Sequence, residues 1–149
     1  AGRDRAATIV ALDPSSIDAM RSIGRDAILR IAGICNYFLP NAEEACWLAG
    51  ESDPQSAAAT LYHLTKCAIV VKLGEEGALL QNGDTTQHVP GIPVDAVDVT
   101  GAGDAFAAAF LAALARTGDP WTALEAGVRF STQKVSLRGT QPIQLRSGP

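Results

Sequence analysis

Apolar positions in this chain alternate between short unbroken runs and longer periodic stretches. Thr8 to Leu12 (TIVAL), Tyr37-Phe38-Leu39 and Cys67 to Leu73 (CAIVVKL) are runs with few polar breaks, the pattern of strands buried on both faces. Between the first two, Ile17, Met20, Ile23, Ile28 and Ile31 form an imperfect helical stripe that predicts a helix ending near Gly33. Its start is marked by Asp13-Pro14-Ser15-Ser16, turn residues that also offer an N-cap. Asp13 stands at the carboxyl end of the first run, where open α/β sheets bind ligands; a turn-forming role explains it equally well.

Pro40-Asn41 stops the second run, and a helix is predicted from about Ala42, with Glu43 and Glu44 in its first turn, to Gly50. Asp53-Pro54 opens another helix, to about Lys66, with Ala57, Leu61 and Leu64 on one side. After the third run, Gly74-Glu75-Glu76-Gly77 predicts a turn. Ala78-Leu79-Leu80 and Thr85 to Val89 then flank the hairpin signal Asn82-Gly83-Asp84. Pro90-Gly91-Ile92-Pro93 reads as a surface connection. An alanine-rich helix follows Gly103, with Phe106, Phe110, Leu111 and Leu114 spaced for burial. Gly118 closes it, and Pro120 starts a last helix running from about Trp121 to Ser136. The pattern predicts a single α/β unit over residues 1–149: parallel strands first, then a small antiparallel hairpin, then two packed helices.

Composition narrows the class. Hydrophobic residues make up 47% of the 149 and charged ones 19%, as in a folded globular chain. The net charge of −4, with no run of Lys or Arg, argues against a nucleic-acid partner. No apolar run approaches the roughly 18 residues of a membrane span, and the first residues lack a signal-peptide pattern. Cys35, Cys46 and Cys67 match no zinc spacing and read as small core residues in a reducing compartment. Cytoplasmic localisation, without membrane or nucleic acid, is the expectation.

Three stretches carry chemistry. In Val97 to Asp104 (VDVTGAGD), Gly101, Ala102 and Gly103 leave backbone N–H groups uncovered at a helix start. Such donors bind anions, and Asp104 beside them is a candidate base. In Lys72-Leu73-Gly74-Glu75-Glu76-Gly77, two glycines at a strand end allow close approach to a ligand, or simply make a turn. Pro40-Asn41-Ala42-Glu43-Glu44 is, as a bare pattern, a capping box.

Taken in order, these stretches resemble motifs of the ribokinase-like (PfkB) family of carbohydrate kinases. DVTGAGDAF is similar to that family's C-terminal D-T-x-G-A-G-D motif, PNAEEA to its N-x-x-E motif, IVVKLGEEGALL to its nucleotide-loop strand, and KVSLRGTQP to its terminal loop. The resemblance implies the C-terminal portion of a mostly parallel sheet flanked by helices. It also implies ATP-dependent phosphorylation of a sugar hydroxyl, with sugar and ATP as small-molecule partners. Asp104 would be the general base, and Gly101, Ala102 and Gly103 the anion hole for the γ-phosphoryl group. Asn41 and Glu44 would organise Mg²⁺. Lys72, Gly74 and Gly77 would lie along the nucleotide. Asp98 and Thr100, with backbone carbonyls near Lys134, Leu137 and Gly139, would match a site for a monovalent cation such as K⁺.

The chain departs from the family in several places. Val99 replaces a usual threonine, and Val128 stands where an Asn or His often meets the adenine. Lys72 stands where a small hydroxyl residue is frequent, and would add a phosphate contact. The family's Gly-Gly sugar motif, early substrate-binding Asp and β-sheet lid are not found in these residues, so the chain is expected to be inactive alone. Two other readings stay open: a non-catalytic nucleotide-binding or regulatory module, and a kinase for a vitamin-type alcohol. The sugar and the oligomeric state, a homo-oligomer included, are not readable.

Overall fold

Five strands and six helices follow one another in the computed structural model, which describes residues 8–14 and 16–136. The strands are β1 (Ala11–Leu12), β2 (Tyr37–Phe38), β3 (Ala68–Lys72), β4 (Ala78–Asn82) and β5 (Thr85–Val89). The helices are α1 (Ile17–Ile23), α2 (Arg25–Ala32), α3 (Ala42–Ala49), α4 (Pro54–Thr65), α5 (Ala102–Thr117) and α6 (Pro120–Val135). The strands lie in the order β1-β2-β3-β4-β5. β1 pairs with β2 and β2 with β3 in parallel, with Tyr37 opposite Ala68 and Phe38 opposite Ile69. The chain then turns through Gly74–Glu76, a short 3₁₀ segment, into the β4–β5 hairpin. A two-residue loop can join neighbouring strands only in antiparallel fashion. The sheet is mixed and flanked by helices, as the hydrophobic runs predict.

The chain divides into two compact units. One holds the residues up to Val71 together with Leu80–Thr86; the other holds Lys72–Leu79 and the residues from Gln87 onward. In the first, Ala68, Ile69, Val70 and Val71 of β3 are all buried, because a strand covered on both faces must be apolar at successive positions. Phe38, Leu39, Leu48 and Leu61 are also fully buried in this unit. In the second, α5 and α6 pack along one another, and Phe110 and Leu124 are fully buried.

Capping explains the helix starts. Ser16 Oγ accepts the Ala19 N–H at 3.2 Å, and an Asp53 carboxylate oxygen accepts that of Ser56 at 2.8 Å. Asp119 accepts from Trp121 and Thr122 at 3.3 and 3.0 Å. Pro54 and Pro120 open α4 and α6, where a missing N–H costs nothing.

Three expectations are corrected. The first strand is two residues long and does not begin at Thr8. Before it, the Val10 N–H goes to the Asn36 side chain at 2.8 Å, so the ladder there is completed by an amide and not by a strand. The stripe from Ile17 to Gly33 is two helices, broken at Gly24, whose φ of 95° is outside helical space. The break takes Ile23 and Ile31 off a common buried face, leaving them 59% and 44% exposed. On α4, Leu64 is 53% exposed, and Ala58 takes its place in the core. No described helix is long and apolar enough to cross a membrane.

Candidate active site

The approach to α5 is a loop tied down by its own backbone. Val97 and Asp98 both donate their N–H groups to the Val135 carbonyl at the end of α6, at 2.8 and 3.1 Å. Asp98 Oδ1 then accepts the Thr100 N–H at 2.8 Å, a local turn in which the carboxylate substitutes for a backbone carbonyl. Gly101 follows with φ of 77°, the left-handed conformation that a side chain would strain. No side chain caps the helix that starts there, in contrast to α3, α4 and α6. The Ala102 N–H turns back to the Val99 carbonyl at 3.2 Å, and the rest of the first turn of this 16-residue helix has no side-chain cap and presents the positive end of its dipole. Asp104 is in that turn and is exposed.

Two lysines approach the same turn. Lys72 Nζ, from the end of β3, is 3.8 Å from where a Cβ on Gly103 would stand. Lys134, in the last turn of α6, brings its Cε to 3.4 Å from the corresponding point on Gly101.

Beside the turn is a cavity of about 920 Å³, at the large end of the usual range for small-molecule sites. Its lining includes Lys72, Gly74, Gly77, Ala102 and Gly103, so five of the sequence-predicted positions are gathered at one opening. The backbone of the Gly74–Gly77 turn lies directly on the segment after β5. A Cβ on Gly77 would collide with the Val89 carbonyl oxygen, and one on Gly91 with that of Glu75. His88 Nε2 adds a contact of 2.9 Å to the Glu76 carbonyl.

Much of this lining lies outside the predicted site positions: Ile92, Val94 and Val99 come from the loop before α5, and Phe106, Ser131 and Thr132 from α5 and α6. Ile92, Val94 and Val99 are 49%, 43% and 70% exposed. Several exposed aliphatics within one loop are the signal that marked it, since such patches usually meet a ligand or partner. Val128, expected near an adenine, is 3% exposed, and α6 reaches the cavity one turn later, through Ser131 and Thr132.

Asn41 and Glu44 form the capping box that their spacing describes. Glu44 Oε2 accepts the Asn41 N–H, and Asn41 Oδ1 accepts the Glu44 N–H, both at 2.9 Å. Glu44 is 2% exposed. Asp13 is half-buried. Leu137 and Gly139, two of the expected cation ligands, lie outside the described residues. The three cysteines are free; Cys67 is buried, and burial pushes its thiol up to about 12. Cys35 and Cys46 are only half-buried and so are not the core residues expected.

Comparison with known proteins agrees with this fold. The model of the pfkB family carbohydrate kinases matches residues 3–146. A deoxyribokinase from Salmonella typhi is 35% identical over 122 residues, covering 78% of this chain and 40% of its own. The structure of aminoimidazole riboside kinase from Salmonella enterica, complexed with aminoimidazole riboside and an ATP analogue, has a TM-score of 0.79 at 30% identity. That alignment covers 88% of this chain and 47% of the other. A candidate ribokinase II from E. coli, in complex with ATP and Mg²⁺, has a TM-score of 0.77 at 29% identity over 88% of this chain and 43% of its own. The chain thus spans less than half the length of each of these relatives. With the family model matching nearly its whole length, the chain belongs to the pfkB family of carbohydrate kinases.

Proposed function

We propose that this chain is the nucleotide-binding and catalytic portion of an ATP-dependent sugar kinase. The observation that carries the proposal is the uncapped start of α5 opening on the cavity, with Lys72 beside Gly103 and Asp104 in the first turn. Phosphoryl transfer asks mainly for positioning and charge neutralisation, and these groups supply both. The backbone N–H groups of Gly101 and Gly103 steady the γ-phosphoryl oxygens as the bond to ADP breaks, while that of Ala102 between them is held by the Val99 carbonyl. Lys72 places a positive charge against the same phosphates. Asp104 takes the proton from the sugar hydroxyl as its oxygen attacks phosphorus. The apolar residues of the cavity, Ile92, Val94 and Phe106 among them, suit the base and ribose of the nucleotide.

Among the described residues, no cluster of three or more His, Cys, Asp or Glu side chains could enclose a metal ion. Mg²⁺ keeps several waters and is usually held by phosphates and one or two carboxylates. Glu44 and Asn41 have the chemistry to hold it through water. When bound, it neutralises phosphate charge.

Two measurements test the reading. Calorimetric titration of the chain with ATP is expected to show saturable binding, and no binding would overturn it. In a complete kinase carrying this chain, Asp104→Asn is expected to bind ATP at least as tightly, because a like charge is removed, while turnover falls by about 10²–10⁴-fold. Near-normal turnover would remove Asp104 from the role of base.

A further inference from the structure

Two hydroxyl side chains of α6 line the cavity, and both spend their protons within the helix. Ser131 Oγ donates to the Val128 carbonyl at 3.0 Å, and Thr132 Oγ1 donates to the same carbonyl at 2.8 Å. Both residues are half-buried. A hydroxyl whose proton is held by a backbone carbonyl still carries lone pairs, so toward a ligand it accepts and does not donate. The other polar side chains in the described lining are Glu75, Asp95 and Lys72. The two carboxylates, when ionised, accept only. Lys72 donates, but its Nζ stands 3.8 Å from the side-chain position of Gly103, at the start of α5. The turn after β3 also uses several of its own donors. Leu73 N–H goes to the Gly77 carbonyl at 2.9 Å, Glu76 N–H to that of Leu73 at 3.3 Å, and Gly77 N–H to that of Gly74 at 3.1 Å. Away from Lys72, the polar side chains of the described lining therefore offer acceptors.

We propose that Ser131 and Thr132 make the site selective for 6-aminopurine nucleotides over 6-oxopurine ones. The exocyclic amino group of adenine donates to these oxygens. In the hypoxanthine of ITP an oxo group takes its place, and its lone pairs face theirs unless a hydroxyl gives up its bond to the Val128 carbonyl. A site built to hydrogen-bond one group discriminates against the analogue without it, because its own polar atoms are then left unpaired. This selection rests on the reading of the cavity as the nucleotide site, but it is measured as a ratio between two nucleotides that carry the same phosphates.

The test is calorimetric titration of the chain with ATP and with ITP, which differ in that substituent and in the N1 proton that accompanies it. The unmodified chain is expected to bind ATP about tenfold more tightly than ITP. Ser131→Ala combined with Thr132→Val removes both oxygens with little change of volume. In that double variant ATP affinity should fall to about that of ITP, while ITP affinity stays within about twofold of its value in the unmodified chain. Equal affinities for ATP and ITP in the unmodified chain would overturn the proposal. So would a preference for ATP that survives undiminished in the double variant. Should the double variant fail to fold, Ser131→Ala and Thr132→Val are measured singly, and each is expected to lose part of the preference; an undiminished preference in both would overturn the proposal. If the chain binds neither nucleotide, the nucleotide site itself falls and the selectivity with it, whereas binding of both without preference removes the selectivity alone.

Discussion

Gly127 and Phe106 share one space: a Cβ on Gly127 would stand 2.7 Å from Cε2 of the Phe106 ring and 2.8 Å from its Cζ. The ring is 3% exposed and stacks on Phe110 with the two planes 8° apart, so it has little room to yield. Phe106 also lines the cavity, which links the packing of α5 on α6 to the shape of the site. Gly127→Ala is expected to destabilise the chain by about 1–3 kcal/mol, the usual cost of overpacking a filled core, although alanine is the better helix former. Chemical denaturation of the two proteins measures this, and an alanine variant of equal or greater stability would show that the ring relaxes freely.

A second contact of this kind shapes the Gly74–Gly77 turn. Gly91 lies with its α-carbon so close to the Glu75 carbonyl that any side chain would collide with it, and Gly77 adds a φ of 96°. Gly91→Ala must push the Gly74–Gly77 turn away from the segment after β5. ATP affinity is expected to fall about tenfold or more, by calorimetry. His88→Ala, which removes only the 2.9 Å contact to the Glu76 carbonyl, should cost less. Unchanged affinity in Gly91→Ala would mean that the turn does not meet the nucleotide.

Much of this architecture is legible in the amino-acid sequence, and the reason is locality. The caps at Asp53 and Asp119, the prolines at helix starts and the Asn82-Gly83-Asp84 turn each depend on residues a few positions apart. The Gly101–Gly103 helix entry is legible for the same reason. What depends on distant partners is not. The break at Gly24 hides inside a periodic apolar stripe because a glycine there is compatible with either one helix or two. The cavity face of Ile92, Val94 and Val99 has no periodicity, and its neighbours Ser131 and Thr132 come from a helix some forty residues further on. Nothing in the spacing of Lys134 announces that its side chain reaches Gly101.

The aspartate caps make stability depend on acid. Hydrogen bonds from Ser56 hold the Asp53 carboxyl below its usual range, and those from Thr122 do the same for Asp119. A carboxylate whose folded pKa is depressed stabilises the fold above its unfolded value, near 4, and loses that contribution as pH falls through the lower folded value. Both caps should therefore contribute fully at neutral pH and fade only below about pH 4. Asp53→Ala and Asp119→Ala are expected to melt lower than the unmodified chain at pH 7, with the gap closing toward pH 2. A gap independent of pH would show that the aspartates act through something other than their charge.

Glu44 tests whether a capping residue also serves a metal. Its side chain accepts the Asn41 N–H and is buried, so Glu44→Ala leaves that donor without its acceptor and opens a small void. A loss of about 1–3 kcal/mol is expected. Glu44→Gln keeps an oxygen that can accept the same hydrogen bond and should lose less. The two roles then separate in ATP binding, measured with and without Mg²⁺ in the glutamine variant. A carboxylate that holds the water shell of Mg²⁺ does so through its charge, so its replacement should weaken binding of ATP with Mg²⁺ by about tenfold and leave binding of free ATP nearly unchanged. Equal effects in the two conditions would confine Glu44 to the start of α3, as the partner of Asn41 in the capping box and nothing more.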